Sequence, residues 1–350
     1  MVVDCGAGRH GTASDAAIRL AAALGVKSGC VDTVVITHFD EDHWRGLREL
    51  PQHWVVPPSD VTVHYPYLLP QNPGLIQVAH LAIASLSHQP VTAALDVIHA
   101  WEVNGETTVH PRALMRGDTF DGAGQLWTVH WPPRDHSSFT KRTRNSMDDM
   151  AQRIRDVAAQ SPLFRLALLH IQRAWFRQED GHDGIDRLSG GEVNGQLRAD
   201  AGEAPTAREV VEQLVEVMSF PEFENFRALV RKYTNELSIV HTTDTVANFG
   251  DCESAGLTAL LKLQGDVIGP KLAAAYPVIL SPHHGTQAPR KRVQELFPFV
   301  SDTLVCQNGI EHHRRGLEDD IQVFRRRATR LWSAHVHNTF VGDSFVRVGL

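Results

Sequence analysis

The 350-residue sequence predicts an α/β protein built in layers, and three features carry that expectation. A short strand, a helix and a second strand follow one another at the N-terminus. Three more strand-like apolar runs lie near the C-terminus, and two of them end in acids or histidines. Between these parts, a segment from 140 to 232 reads as mainly helical. Strands and helices alternating along a chain fold as sheets covered by helices.

The first strand lies in "MVVDCGAG", where an acid and glycines follow the apolar run and mark a tight turn. "SDAAIRLAAALGV" is expected to be a helix capped by Ser14 or Asp15 and ending near Gly25. "CVDTVVITHFDEDH" reads as a buried strand that delivers a polar cluster to a loop. From about 50 to 113 the pattern is mixed, with prolines up to Pro73 and an expected helix at "LIQVAHLAIASLSHQ". "LMRGDTFDGAGQLWTVHWPP" is expected to form a hairpin with a Gly-rich turn, closed by Pro132 and Pro133. Helical periodicity then places Ile154, Val157, Leu163, Leu166 and Leu169 on one face. Residues 179–205, rich in Gly and Asp, read as a flexible loop, and Thr206 with Glu209 forms a capping box before the next helix. The closing strands are expected in "LSIVHTTDTVANFGDCES", "AYPVILSPHHGTQ", "SDTLVCQNGIEHH" and, after a further helix, "SAHVHNTFVGDSFVRV".

Composition narrows the class. Hydrophobic residues at 42% and charged residues at 21% describe an ordinary globular chain. No run reaches the roughly 18 apolar residues of a membrane span, and the N-terminus lacks the pattern of a signal peptide. Cys5, Cys30, Cys252 and Cys306 form no C-x-x-C pair, so neither a disulfide frame nor a cysteine metal site is indicated, and a cytoplasmic location is expected. The net charge is −7, yet Arg290, Lys291, Arg292, Arg314, Arg315, Arg325, Arg326, Arg327 and Arg330 crowd the last quarter. Such a run is either a solvated helix face or a set of contacts to phosphate.

The stretch "HFDEDH", residues 38–43, carries the chemistry, with His38, Asp40, Asp42 and His43 in the pattern H-x-D-x-D-H. Imidazole and carboxylate together suit zinc, manganese or iron. On an extended backbone 38, 40 and 42 share one face, and a tight loop brings His43 round. One ion cannot use four such ligands and keep a position open, whereas two neighbouring ions can. The plainer alternative is an exposed acidic loop capping a helix that begins near Trp44. Asp251 is either a turn residue or a ligand. His312 and His313 either act at a site or lie exposed beside Arg314. His335 and His337 alternate on a strand and read as structural, and Trp127 and Trp131 as core.

H-x-D-x-D-H after a hydrophobic strand resembles the first motif of the metallo-β-lactamase fold. Asp40, where a second histidine is common, resembles the soluble hydrolase domain of ComEC/Rec2-type DNA-uptake proteins. Other segments of that domain resemble, in order, "DCG", "RGDTFDGAGQLWTVHWPP", "NELSIV", "FGDCES", "SPHHGT" and "QNGIEHH". The resemblance implies a four-layer αββα sandwich formed by 1–139 and 233–350, with 140–232 as a largely helical insertion. It also implies a β-hairpin ahead of the Asp4 strand, so either the chain begins late, with lowered stability expected, or the sheet edge is completed otherwise. His38 and Asp40 would bind one divalent ion, zinc or manganese with iron also compatible. Asp42, His43 and His283 would bind a second, and Asp251 would bridge them. His284 is the alternative to His283 or its support. Asn235 stands where a third-motif histidine is usual, with His241 further along, so the first ion would be weakly held or carry an extra water. Asn308, His312 and His313 are candidates for substrate contact or support. The implied activity is hydrolysis by a metal-bridged hydroxide, with Asp42 and Asp251 as catalytic carboxylates. The implied substrate is a phosphodiester, nucleic acid included. The alternatives are a small-molecule hydrolase of lactams, lactones, esters or thioesters, and a non-catalytic binding module.

Overall fold

The computed structural model describes residues 1–6, 13–38, 40–67, 97, 100–102, 107–160, 234–285, 292, 296, 303–306 and 335–338, and these build two sheets. The first has four parallel strands in the order β1 (Val2–Val3), β2 (Thr33–Val35), β3 (Asp60–Pro66) and β4 (Thr108–Leu114). All three residues of β2 are buried, as expected for a short apolar strand covered on both faces. The mixed pattern over 50–113 hides β3 and β4. In β3 the alternating Val61, Val63 and Tyr65 are fully buried. In β4, Pro111 and Arg112 interrupt the apolar alternation, and proline is tolerated there because β4 is an edge strand.

The second sheet has seven strands, beginning at one edge with the expected hairpin of β5 (Thr119–Gly122) and β6 (Gln125–Trp131). Its turn residues Ala123 and Gly124 both have positive φ, the twist that a two-residue hairpin requires. The order continues through β7 (Val240–Thr242) and β8 (Val246–Asn248), both antiparallel to their predecessors. It ends with β9 (Val278–Leu280), β10 (Thr303–Cys306) and β11 (His335–Asn338), which run parallel to β8. The segment "NELSIV" is not one strand. Asn235–Leu237 forms a 3-10 turn, and pairing starts only at Val240.

Helix α1 (Ala13–Leu24) buries Ala17 and Ala21, a spacing of four that makes one face, and it packs on α2 (Glu41–Glu49). Ser14 and Asp15 lie inside its first turn rather than capping it. Helix α2 starts at Glu41, three residues before Trp44, so the extended reading of 38–42 holds only as far as Asp40. Of the expected helical segment, α3 (Lys141–Gln160) is described. The expected helix at 75–89, the loop 179–205, the Thr206 capping box and the helix between 313 and 333 lie outside the described residues. Helix α4 (Ser254–Leu263) buries Leu257, Leu260 and Leu263 and packs against β6. Among the described residues no helix is long and apolar enough to cross a membrane.

The core lies between the sheets: Val35 and Leu114 of the first meet Phe120, Trp127, Val129, Val246, Val278 and Val305 of the second. Phe120 and Trp127 are direct cross-strand partners with stacked rings. Among the described side chains of these sheets, His64, His130 and His241 are buried. The His64 ring lies 4.6 Å from Phe120, and His241 lies 5.0 Å from Trp127, centroid to centroid. His130 Nε2 pairs with Thr242 Oγ1 at 2.9 Å. Burial, reinforced by Arg112 and His241, lowers the His64 pKa to about 3. Burial with Arg116 lowers His130 to about 4. His241 also falls to about 4, because burial outweighs the opposing pull of Asp4.

These three rings make stability depend on pH with a definite sign. An unfolded histidine titrates near 6.5, so below that pH the unfolded chain takes up protons that the folded chain refuses. Stability is therefore full above about pH 7 and is lost as pH falls toward the folded values of about 3 to 4. At pH 5 each ring accounts for up to roughly 2 kcal/mol. Urea unfolding of metal-free protein between pH 7.5 and 5 measures this. A His241→Leu variant should show the shallower profile, and identical profiles would count against a neutral buried ring.

Candidate metal centre

Four strand ends converge on one place. Asp4 follows β1, His38 follows β2, Asp251 follows β8 and His283 follows β9. These strands run parallel within their own sheets, so the residues leave from carboxyl ends, where α/β sheets place their ligand sites. The two sheets are tied at this edge by the Ile239 amide, which donates to Thr37 O at 2.9 Å. On the second sheet the His283 amide donates to Gly250 O at 3.0 Å.

The local backbone explains how the side chains point. Asp40 is the N-cap of α2, so Asp42 and His43 sit in the first turn of a helix instead of on a loop. Asp4 and His283 both have left-handed backbone, with φ of 50° and 47°, a conformation that costs of order 1–3 kcal/mol outside glycine and clusters at functional sites. Gly250 also has positive φ, and a Cβ there would come within 2.8 Å of Ser238 Oγ, so the turn before Asp251 needs glycine.

His38, His43 and Asp251 are all buried, and each offers one donor atom within 4.8 Å of the others. His43 Nε2 is 3.5 Å from Asp251 Oδ2, His38 Nε2 is 3.9 Å and His283 Nε2 is 4.0 Å from the same oxygen. Asp40 Oδ2 lies 3.7 Å from His38 Nε2, and Asp42 Oδ2 lies 3.9 Å from His43 Nε2. The His38 and His43 rings are 3.9 Å apart, and His38 Nε2 is buried without a hydrogen-bond partner. Donors 2.0–2.2 Å from one tetrahedral ion stand about 3.4 Å from each other. The nitrogen and oxygen donors here are of the right kind and close to that spacing, so the residues fit a divalent ion.

The opposite nitrogens are held from behind. Asp4 Oδ2 is 2.9 Å from His43 Nδ1 and also accepts Thr37 Oγ1 at 2.6 Å, while Asp4 Oδ1 accepts the Thr37 amide at 2.7 Å. His38 Nδ1 sits 3.2 Å from Thr37 Oγ1 and 3.1 Å from Ser238 Oγ. Ser238 Oγ accepts the Asp251 amide at 2.9 Å, which links Asp251 to the same network. Such supports fix the tautomer and turn Nε2 toward the ion. Burial works against charge on His43, but Asp251 and Asp4 outweigh it and hold its pKa well above 6.5.

Thus the structure brings together His38, Asp40, Asp42, His43, Asp251 and His283, the six residues expected as ligands. The His283 ring stands beside Asp251, while the His284 side chain lies outside the described residues, as do Asn308, His312 and His313. Asn235 is on the turn before Ser238, with its Oδ1 buried and without a hydrogen-bond partner, and Ser238 makes the contact to His38. His241 is in the inter-sheet core against Phe120 and Trp127. Asp4, Thr37 and Ser238 were missed as site residues. Asp4 and Ser238 stood inside recognised segments, but nothing in their spacing marks an outer contact to a histidine nitrogen.

Asp251→Ala should abolish tight zinc binding, since every histidine Nε2 here faces that carboxylate. Asp4→Asn should weaken affinity about 10- to 100-fold and leave the stoichiometry unchanged. Because His43 holds its proton without an ion, parent protein should release a proton on binding zinc, and its affinity should rise with pH. Calorimetry in buffers of different ionisation enthalpy measures both effects. A release no larger in the parent than in Asp4→Asn would contradict the charged pair.

No curated protein and no solved structure matches the chain. Residues 1–140 match the family model of the metallo-beta-lactamase superfamily, so the part of the chain that carries β1 to β6 and the H-x-D-x-D-H cluster is similar to that superfamily.

Proposed function

We propose that the chain is a metal-dependent hydrolase whose substrate is a phosphodiester. The observation that carries the hydrolase part is the convergence of His38, His43 and Asp251 within 4.8 Å, in a chain whose first 140 residues match the metallo-beta-lactamase superfamily. In this reading 1–139 and 233–350 form one αββα hydrolase domain, and 140–232 is an insertion. His38 and Asp40 would hold one divalent ion more weakly, Asp42, His43 and His283 would hold a second, and Asp251 would serve both. When bound, the ions supply Lewis acidity and a hydroxide available at neutral pH.

The chain's own groups divide the remaining work by exposure. Asp251 is 6% exposed and held by Ser238, which suits a rigid bridge. Asp40 and Asp42, 37% and 36% exposed, stand at the mouth, where Asp42 orients the attacking water. Asp4 keeps His43 Nδ1 protonated and so presents the Nε2 lone pair to the ion. The phosphodiester assignment is supported by the resemblance to the ComEC/Rec2 hydrolase domain. It is also supported by the basic run 290–292, which follows the His283 turn and can hold phosphate.

The test is hydrolysis of bis(p-nitrophenyl) phosphate and of linear DNA by manganese- or zinc-loaded protein, beside p-nitrophenyl acetate and a lactone. Phosphodiester turnover lost in the Asp42→Ala, His43→Ala double variant, with DNA binding that weakens steeply in salt, is the expected result. Ester or lactone turnover alone would replace the substrate, and metal binding without any turnover would leave a binding module.

A further inference from the structure

His283 is flanked by carboxylates on both ring nitrogens. Nε2 faces Asp251 Oδ2 at 4.0 Å, and Nδ1 faces Glu253 Oε1 at 3.7 Å. His43 is built the same way, with Asp251 at Nε2 and Asp4 at Nδ1. His38 repeats the scheme with hydroxyls, Thr37 and Ser238, behind its Nδ1. Each of the three rings therefore turns Nε2 to one shared oxygen and rests Nδ1 on a partner. We infer that Glu253 is the positioning residue of His283: it accepts the Nδ1 proton, fixes the tautomer and aims Nε2 at the metal.

The local chain supports that role. Asp251, Cys252 and Glu253 are successive non-helical residues ahead of α4. Cys252 is fully buried, tight against Gly256, where an added Cβ would come within 2.7 Å of its sulfur. The Asp251 and Glu253 carboxylates on either side of it both approach the same imidazole. Glu253 occupies the N-cap of α4, a position favoured by short polar side chains that bond the free amides, yet its carboxylate makes no such bond. The helix N-terminus still favours its negative charge. The left-handed backbone of His283 and its amide bond to Gly250 hold the ring from the other side. The 3.7 Å contact is longer than the 2.9 Å one at His43, in keeping with a ring that is 29% exposed.

The inference rests on the metal-site reading, and its test separates the two. Zinc binding by the full chain is titrated against a chromophoric chelator for the parent, Glu253→Ala, Glu253→Gln, His283→Ala and the Glu253→Ala, His283→Ala pair, with melting curves as folding control. Nitrogen-15 spectra of the imidazoles, with and without zinc, report the His283 tautomer. Glu253→Ala should keep the parent stoichiometry and weaken the ion that His283→Ala affects by about 10- to 100-fold. Glu253→Gln, which keeps an acceptor oxygen without the charge, should fall between. The double variant should be no worse than His283→Ala alone, because the support acts only through the ring. The parent should show the Nδ1–H tautomer, and Glu253→Ala should lose that preference. Unchanged affinity in Glu253→Ala, additive losses in the pair, or loss of a whole zinc equivalent on removing Glu253 would each overturn the inference, the last because it makes Glu253 a ligand. If the parent binds no zinc the metal-site reading fails, and the tautomer still decides the role of Glu253.

Discussion

The carboxylate of Asp4 is the contact on which the rest of the centre depends. It takes the Thr37 amide, the Thr37 hydroxyl and His43 Nδ1, so one side chain joins the end of β1, the end of β2 and the first turn of α2. Thr37 passes the link to His38, and Ser238 carries it on to Asp251 in the other sheet. Hydrogen bonds to an ionised acceptor are stronger than neutral ones, and in a buried setting they lock direction as well as distance. The left-handed φ of Asp4 shows that the backbone is strained to make this possible.

Gathering these groups carries an electrostatic cost. Asp4, Asp40, Asp42, Asp251 and Glu253 stand around three imidazoles, and carboxylates this close repel one another unless positive charge is added. The raised pKa of His43 is the protein's own partial answer, one proton held between Asp4 and Asp251. A divalent ion answers it more fully. Binding of such an ion would be coupled to folding for that reason, since it would stabilise an arrangement that the unfolded chain cannot form.

The contrast with the other buried histidines is instructive. His64 and His241 lie among aromatic rings, where burial keeps them neutral, whereas His38 and His43 lie among oxygens. The same residue type serves as core filler in one place and as candidate ligand in another. What separates the two is whether carboxylates share the pocket. The rigid inter-sheet core beneath the site then lets short turns after β2, β8 and β9 hold their side chains in register, because the strands beneath them cannot slide independently.

The residues themselves determined much of this protein. Apolar runs with β-branched residues specified β1, β2, β9 and β10, the Ala-Gly turn specified the β5–β6 hairpin, and H-x-D-x-D-H announced a metal-seeking cluster. These signals are legible because periodicity, turn chemistry and ligand type are local properties. The strand β3 was not recognised although Val61, Val63 and Tyr65 alternate, because prolines surround it, and β4 was not legible because Pro111 and polar residues interrupt its pattern and pairing with β3 decides it. Nor was the start of α2 at Glu41, which moved Asp42 and His43 from a loop to a helical turn. The outer contacts were decided by tertiary structure alone. Asp4 and His43 are 39 residues apart and Ser238 and His38 are 200 apart, so no local pattern could show that they meet. Which atoms a chain offers is written in its order of residues, but which nitrogen of a histidine faces the ion is settled only when distant strands close around it.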